Sequence, residues 1–258
     1  MCFDLDSQPP VQPAIASDAH GETQTLTSAD GTKFAVYHAH ADSARYNGAG
    51  IVILPDVRGL YQFYKDLALR FAEAGIEAIT IDYFGRTAGL TARDDAFEYM
   101  PHVQQTKFAQ IRDDVAAAIA QLRSGPNAPK AIFTVGFCFG GSNSFQQSAN
   151  HHGLAGAIGY YGRPVTPGMD GSRPMVERVG EIECPILAFF GGADQGIPVE
   201  QAHQFDEALK QAGIEHEVII YPGAPHSFFD RKYQEFTKES EDSWNRALAF
   251  IQAHTPQA

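Results

Sequence analysis

Three side chains in this sequence could together break an acyl bond: Cys138, Asp194 and His226. A thiolate is a strong nucleophile, an imidazole can take the thiol proton, and a carboxylate can hold that imidazole in one tautomer. Cys138 lies in Gly136-Phe137-Cys138-Phe139-Gly140-Gly141, directly after the apolar run Ala131-Ile132-Phe133-Thr134-Val135. The residues beyond it, Ser142 to Ala149, suit a helix. A strand that enters a helix through G-x-C-x-G has the form of a nucleophile elbow, with Cys where Ser is usual. A side chain at 136 or 140 would crowd so sharp a turn. The positive end of the following helix would favour the thiolate. Taken alone, the hexapeptide also fits a buried Cys beside a glycine-rich turn.

The elements that must position these residues follow from hydrophobic periodicity. Residues 1–20, rich in Pro, Ala and Ser, read as an irregular arm, and residues 21–258 as one domain. Gly21 to Ala41 alternates polar and apolar about Asp30-Gly31, which predicts a β-hairpin. Gly50 to Leu54 and Ile76 to Asp82 read as central strands, with a helix at Tyr64 to Ala74 between them. Residues 85–107 are polar and lack a clear period. A helix is expected at Phe108 to Arg123, then the elbow strand, a helix from about Asn143, and a strand at Leu154 to Tyr160. A Pro/Gly-rich loop follows at 162–174. The chain closes with strand Pro185 to Phe190, helix Val199 to Ala212, strand His216 to Tyr221 and helix Glu239 to Ala253. This order predicts an α/β fold: a mostly parallel, doubly wound sheet with an antiparallel N-terminal hairpin and helices on both faces.

In such sheets functional residues gather at the carboxyl ends of the strands. The strand at 185–190 runs into Gly191-Gly192-Ala193-Asp194, and the strand at 216–221 into Pro222-Gly223-Ala224-Pro225-His226. Nucleophile, acid, then His is the chain order of the α/β-hydrolase triad. Singly, Asp194 could cap a turn and His226 could be one of ten loop or surface histidines. Three strand exits in the required order favour the triad. Acyl transfer builds negative charge on an oxygen, so two convergent backbone N–H groups are needed. Phe139 supplies one, and Val57, in the loop Leu54 to Gly59, the other.

A formal charge of −12 and a sequence pI near 5.2 argue against nucleic acid and anionic membranes as partners. Three cysteines (Cys2, Cys138 and Cys184) form no even disulfide framework, and no leader or membrane-length apolar run is evident. A reducing, cytoplasmic setting is expected. His151-His152 has no carboxylate at ligand spacing and no zinc-type Cys/His spacing occurs, so no metal site is expected. Oligomeric state is open between a monomer and a small homo-oligomer.

Gly-Phe-Cys-Phe-Gly-Gly at 136–141, Gly-Tyr-Tyr-Gly at 159–162, Gly-Gly-Ala-Asp at 191–194 and Pro-His-Ser-Phe at 225–228 together resemble the dienelactone hydrolase (carboxymethylenebutenolidase) family of α/β-hydrolases. The likeness runs from about residue 20 to the last helix. It implies a Cys138-His226-Asp194 triad, hydrolysis of a small ester or lactone, and no metal or organic cofactor. It also implies an acid that modulates the resting thiol, at Asp56, which could instead cap the following turn. Substrate contacts implied by the family fall on Arg86 and Tyr160. A second family arginine aligns with Asp230, leaving Arg58 or Arg231 to supply the cation. Two other functions stay open: a broader carboxylesterase or thioesterase, and a non-catalytic thiol sensor on the same scaffold.

Overall fold

The computed structural model describes residues 7–14, 17–125, 127–230 and 232–256, so Cys2, Arg231 and part of the expected N-terminal arm lie outside the described residues. The chain opens with strands β1 (His20–Thr27) and β2 (Lys33–His40), joined by a turn whose Gly31 has φ 83°. Strand β3 (Ala49–Leu54), helix α1 (Gln62–Glu73) and strand β4 (Ile76–Ile81) form the first crossover unit. Two single helical turns, α2 (Gly85–Ala88) and α3 (Met100–Val103), punctuate the aperiodic stretch before helix α4 (Phe108–Ser124). Then come β5 (Ala131–Phe137), α5 (Phe139–Gln147), β6 (Gly156–Tyr160) and β7 (Ile186–Gly191). Helix α6 (Val199–Gln211), strand β8 (His216–Tyr221) and helix α7 (Thr237–Ala253) complete the order.

All eight strands form one sheet in the order β1-β2-β4-β3-β5-β6-β7-β8. The pairs β1–β2 and β2–β4 are antiparallel, and every pair from β4 to β8 is parallel. This is the α/β arrangement expected. The pleat decides which face each central residue serves. Ile51 and Ile53 of β3 join one apolar cluster, whereas Val52 and Leu54 join the other. Helix α1 covers the first face with Phe63, Tyr64, Leu67, Ala68, Phe71 and Ala72, a stripe at helical spacing. Helix α4 covers the second with Ile111, Val115, Ala118, Ile119 and Leu122. Each fully buried Leu or Ile of this kind contributes about 1.5–3 kcal/mol through removal of apolar surface from water.

Most element boundaries lie within two residues of those expected. The helix after the elbow is the exception, because it begins at Phe139 rather than near Asn143. Gly140, Gly141 and Ser142 are poor helix formers. Their first turn is helical here because it passes tightly beneath neighbouring backbone, as described below. Among the described residues, no helix is long and apolar enough to cross a membrane.

Candidate active site

The parallel strands deliver their C-terminal ends to one edge of the sheet, and the elbow stands there. Cys138 has φ 55° and ψ −111°, a conformation costly for a side-chain-bearing residue and held by its surroundings. A Cβ on Gly136 would lie 1.9 Å from the carbonyl oxygen of Gly140, and one on Gly140 would lie 1.9 Å from that of Leu54. Both are impossible separations to backbone atoms, so glycine is required for β3, β5 and α5 to meet here. The Cys138 N–H donates to the Tyr160 carbonyl at 3.0 Å, tying the elbow to β6. The Cys138 side chain is partly exposed, whereas Cys184 is buried and its thiol is pushed up to about 12 by that burial. A buried thiol held in its neutral form is a poor nucleophile, and only Cys138 of the two is reachable.

Beyond β7, Asp194 is buried and its Oδ1 accepts the backbone N–H groups of Gly196 at 2.8 Å and Ile197 at 3.1 Å. Its Oδ2 lies 2.6 Å from Nδ1 of His226, beyond β8. A carboxylate only accepts, so this contact puts the proton on Nδ1 and makes Nε2 the unprotonated nitrogen of the neutral imidazole. Burial pushes the Asp194 carboxyl upward most strongly. The His226 hydrogen bond, its charge and the two backbone donors outweigh it, and the net displacement is downward. The acid therefore stays ionised beneath the imidazole.

Cys138 and His226 line one cavity of about 420 Å³. Val57 and Phe139 line it too. Phe139 is the first residue of α5, where a backbone N–H has no partner within the helix. The rest of the wall is largely apolar, with Met100, Phe108, Ile111 and Met169 among its members. The aperiodic stretch and the Pro/Gly-rich loop thus supply much of the pocket.

The remaining expected site residues are dispersed. Asp56 is fully buried outside the cavity lining, and its Oδ1 accepts the Arg58 N–H at 2.8 Å, the turn cap considered for it. Asp56, Asp82 and Cys138 all act electrostatically on Tyr83, whose hydroxyl is pushed well upward, chiefly by burial. Arg58 is buried with its guanidinium 4.0 Å over the ring of Tyr61 and does not line the cavity. Arg86 is drawn away altogether. It binds both oxygens of Asp114 at 2.7 and 2.9 Å, Asp30 at 2.7 Å and Ser28 at 2.8 Å, which ties the β1–β2 turn to α4. A substrate role for Arg86 is corrected on that ground, since every edge of its guanidinium is spent on the fold. Tyr160 is corrected likewise. Its side chain is buried against Phe137, Phe189 and Phe229, in the core rather than the cavity.

Its neighbour Tyr161 takes the cavity position that Tyr160 was expected to hold. With φ 39°, it breaks the strand's alternation and places its ring 4.9 Å from that of His226. Arg163 also lines the cavity, the only lysine or arginine among the described lining residues. Its N–H donates to Ser142 Oγ at 2.8 Å. Its place directly after Gly-Tyr-Tyr-Gly, at the exit of β6, was the available signal.

The family model for the dienelactone hydrolase family matches residues 34–255. The carboxymethylenebutenolidase of Rhodococcus opacus is 29% identical over 263 residues, covering 98% of this chain and 97% of that protein. Among solved structures, a dienelactone hydrolase-like promiscuous phosphotriesterase from metagenomic libraries superposes with a TM-score of 0.74 at 20% identity, over 92% of this chain and 99% of its own. A Mycobacterium tuberculosis puromycin-hydrolyzing peptidase reaches 0.77 at 17% identity, over 95% of this chain and 41% of its own. These two speak to the fold alone. With a family match spanning most of its length, the chain belongs to the dienelactone hydrolase family and is a carboxylic ester hydrolase of the α/β-hydrolase fold.

Proposed function

We propose that the protein hydrolyses small esters or lactones through an acyl-cysteine formed on Cys138. The observation that carries this reading is the 2.6 Å contact between Asp194 and His226 on a cavity that also exposes Cys138. His226 Nε2 takes the thiol proton, and the sulfur attacks the carbonyl carbon. The C=O electron pair moves onto oxygen, where the N–H groups of Val57 and Phe139 hold the charge. Collapse breaks the C–O bond, and the imidazolium returns its proton to the leaving alkoxide, which stays tethered if the substrate is a lactone. Water then gives a proton to His226 and attacks the thioester, releasing the carboxylic acid and the thiol. Asp194 stabilises the imidazolium in both halves without itself taking the proton.

The apolar wall supports a small hydrocarbon-rich acyl group, and Arg163 supports a substrate bearing its own carboxylate. This favours an acidic ester or lactone over a neutral one. The test is rapid-quench kinetics with p-nitrophenyl acetate and an unsaturated γ-lactone acid, with intact-mass detection of the acyl adduct. The expected result is a burst matching the enzyme concentration and an adduct that Cys138→Ala abolishes. A Cys138→Ala variant with full turnover would overturn the mechanism.

A further inference from the structure

At the far edge of the sheet from the thiol, His38, His40 and Glu77 bring three ligand atoms within 4.8 Å of one another. His38 and His40 sit two apart on β2, so their side chains share one face. The antiparallel register with β4 (His38 opposite Ile79, Ala39 opposite Ala78) brings Glu77 beside them. His38 Nε2 lies 2.9 Å and His40 Nδ1 2.7 Å from the same oxygen, Glu77 Oε1. The other oxygen, Oε2, accepts the Ala41 N–H at 2.9 Å, which fixes the carboxylate plane. The side chains of His38 and Glu77 are only 4% and 5% exposed, while that of His40 is 27% exposed.

We propose that His38, His40 and Glu77 bind a divalent transition-metal cation, with zinc the best fit. Two imidazoles and one carboxylate form a nitrogen-rich donor set that suits zinc and its neighbours rather than calcium or magnesium. In a tetrahedral site with bonds of about 2.0–2.1 Å, ligand atoms stand roughly 3.3 Å apart. The two contacts to Oε1 need therefore open by only about half an ångström. The Ala41 N–H supplies the outer hydrogen bond that commonly orients a ligating carboxylate. On the β1 side, His20 pairs with His40 and its ring lies 5.1 Å away.

The role assigned is structural. Gly50 is in register with both Glu77 and Ile132, so the cluster lies six residues, about 20 Å, below Cys138 along the strand direction. At that distance a cation takes no part in acyl transfer. It cross-links β2 to β4, the seam where the antiparallel hairpin joins the parallel sheet, and stabilises the folded state by mass action.

The test titrates zinc chloride into EDTA-treated, dialysed full chain carrying Cys138→Ser, so that the triad thiol cannot hold metal. Calorimetry is expected to give one zinc per chain, and the Tm is expected to rise by about 4 °C or more at hundredfold excess over Kd. His40→Gln, at the most exposed ligand, and Glu77→Gln, which keeps an acceptor for Ala41, should each weaken binding at least tenfold. With Cys138 intact, His40→Gln should retain its esterase rate. Cobalt should give visible bands of nitrogen and oxygen ligation. No saturable zinc binding, binding unchanged in both variants, or a cobalt–thiolate charge-transfer band would overturn the proposal.

Discussion

Tyr161 donates its hydroxyl to Asp230 Oδ2 at 2.9 Å, in the buried layer next to His226. Both residues are buried, and the Tyr161 ring faces His226. The position that aligns with a family arginine is therefore an acid that anchors the aromatic floor of the site. Tyr161→Phe keeps the ring but removes a hydrogen bond from a buried acid. A loss of about 1–3 kcal/mol of stability is expected by chemical denaturation, with kcat lowered less than tenfold.

Asp194→Asn leaves the geometry in place but offers His226 a donor as readily as an acceptor, which disfavours the productive tautomer. A fall in kcat/KM of about 10³-fold or more is expected with an activated ester. The same substitution tests linkage. Because the folded Asp194 carboxyl titrates below its unfolded value, its stabilisation is complete above the ordinary carboxylate range. It is lost as pH falls through the depressed folded value. Acid unfolding of Asp194→Asn should be correspondingly shallower than that of the parent between about pH 5 and 2.

Gly140→Ala places a methyl group 1.9 Å from the Leu54 carbonyl oxygen, and neither backbone can yield without moving the elbow. Destabilisation of about 2–3 kcal/mol and loss of most esterase activity are expected. Gly213→Ala makes a useful contrast. No atom lies near its new methyl, but φ is 70° there, so the cost should come from backbone strain alone and activity should persist.

Arg163→Met should raise KM about tenfold for a carboxylate-bearing ester while leaving a neutral ester of the same shape unchanged. The preference for the acid in the parent should also shrink at high salt, since Arg163 is an exposed residue. Equal effects on both esters would assign Arg163 a packing role instead.

The architecture, and the meeting of Cys138, Asp194 and His226 at one end of the sheet, were legible in the sequence for one physical reason: a parallel sheet sends the C-terminal ends of its strands to the same edge. Apolar runs marked the strands, and the first polar residues past them were Cys138, Asp194 and His226. What escaped were features decided by tertiary geometry. Arg86 could not be seen as a fastener, because Asp30 and Asp114 reach it from a hairpin turn and from α4, far apart in sequence. The choice of Tyr161 over Tyr160 depends on a positive φ just past the strand, which upsets simple alternation. The first turn of α5 defied helix propensity because backbone crowding, not side-chain preference, shapes it. Likewise, the His38-His40-Glu77 cluster exists only through the β2–β4 register, which no local spacing reveals.

The hydroxyl of Ser142 touches two things at once: it donates to the Cys138 carbonyl at 3.4 Å and accepts the Arg163 N–H at 2.8 Å. The elbow at Cys138 and the start of the loop that carries Arg163 are bridged by a single oxygen atom. On the proposed mechanism, attack geometry and substrate choice are mechanically joined. A redesign of residues 164–172 that leaves Ser142 and Arg163 alone can reshape what enters the pocket without retuning how the sulfur is aimed.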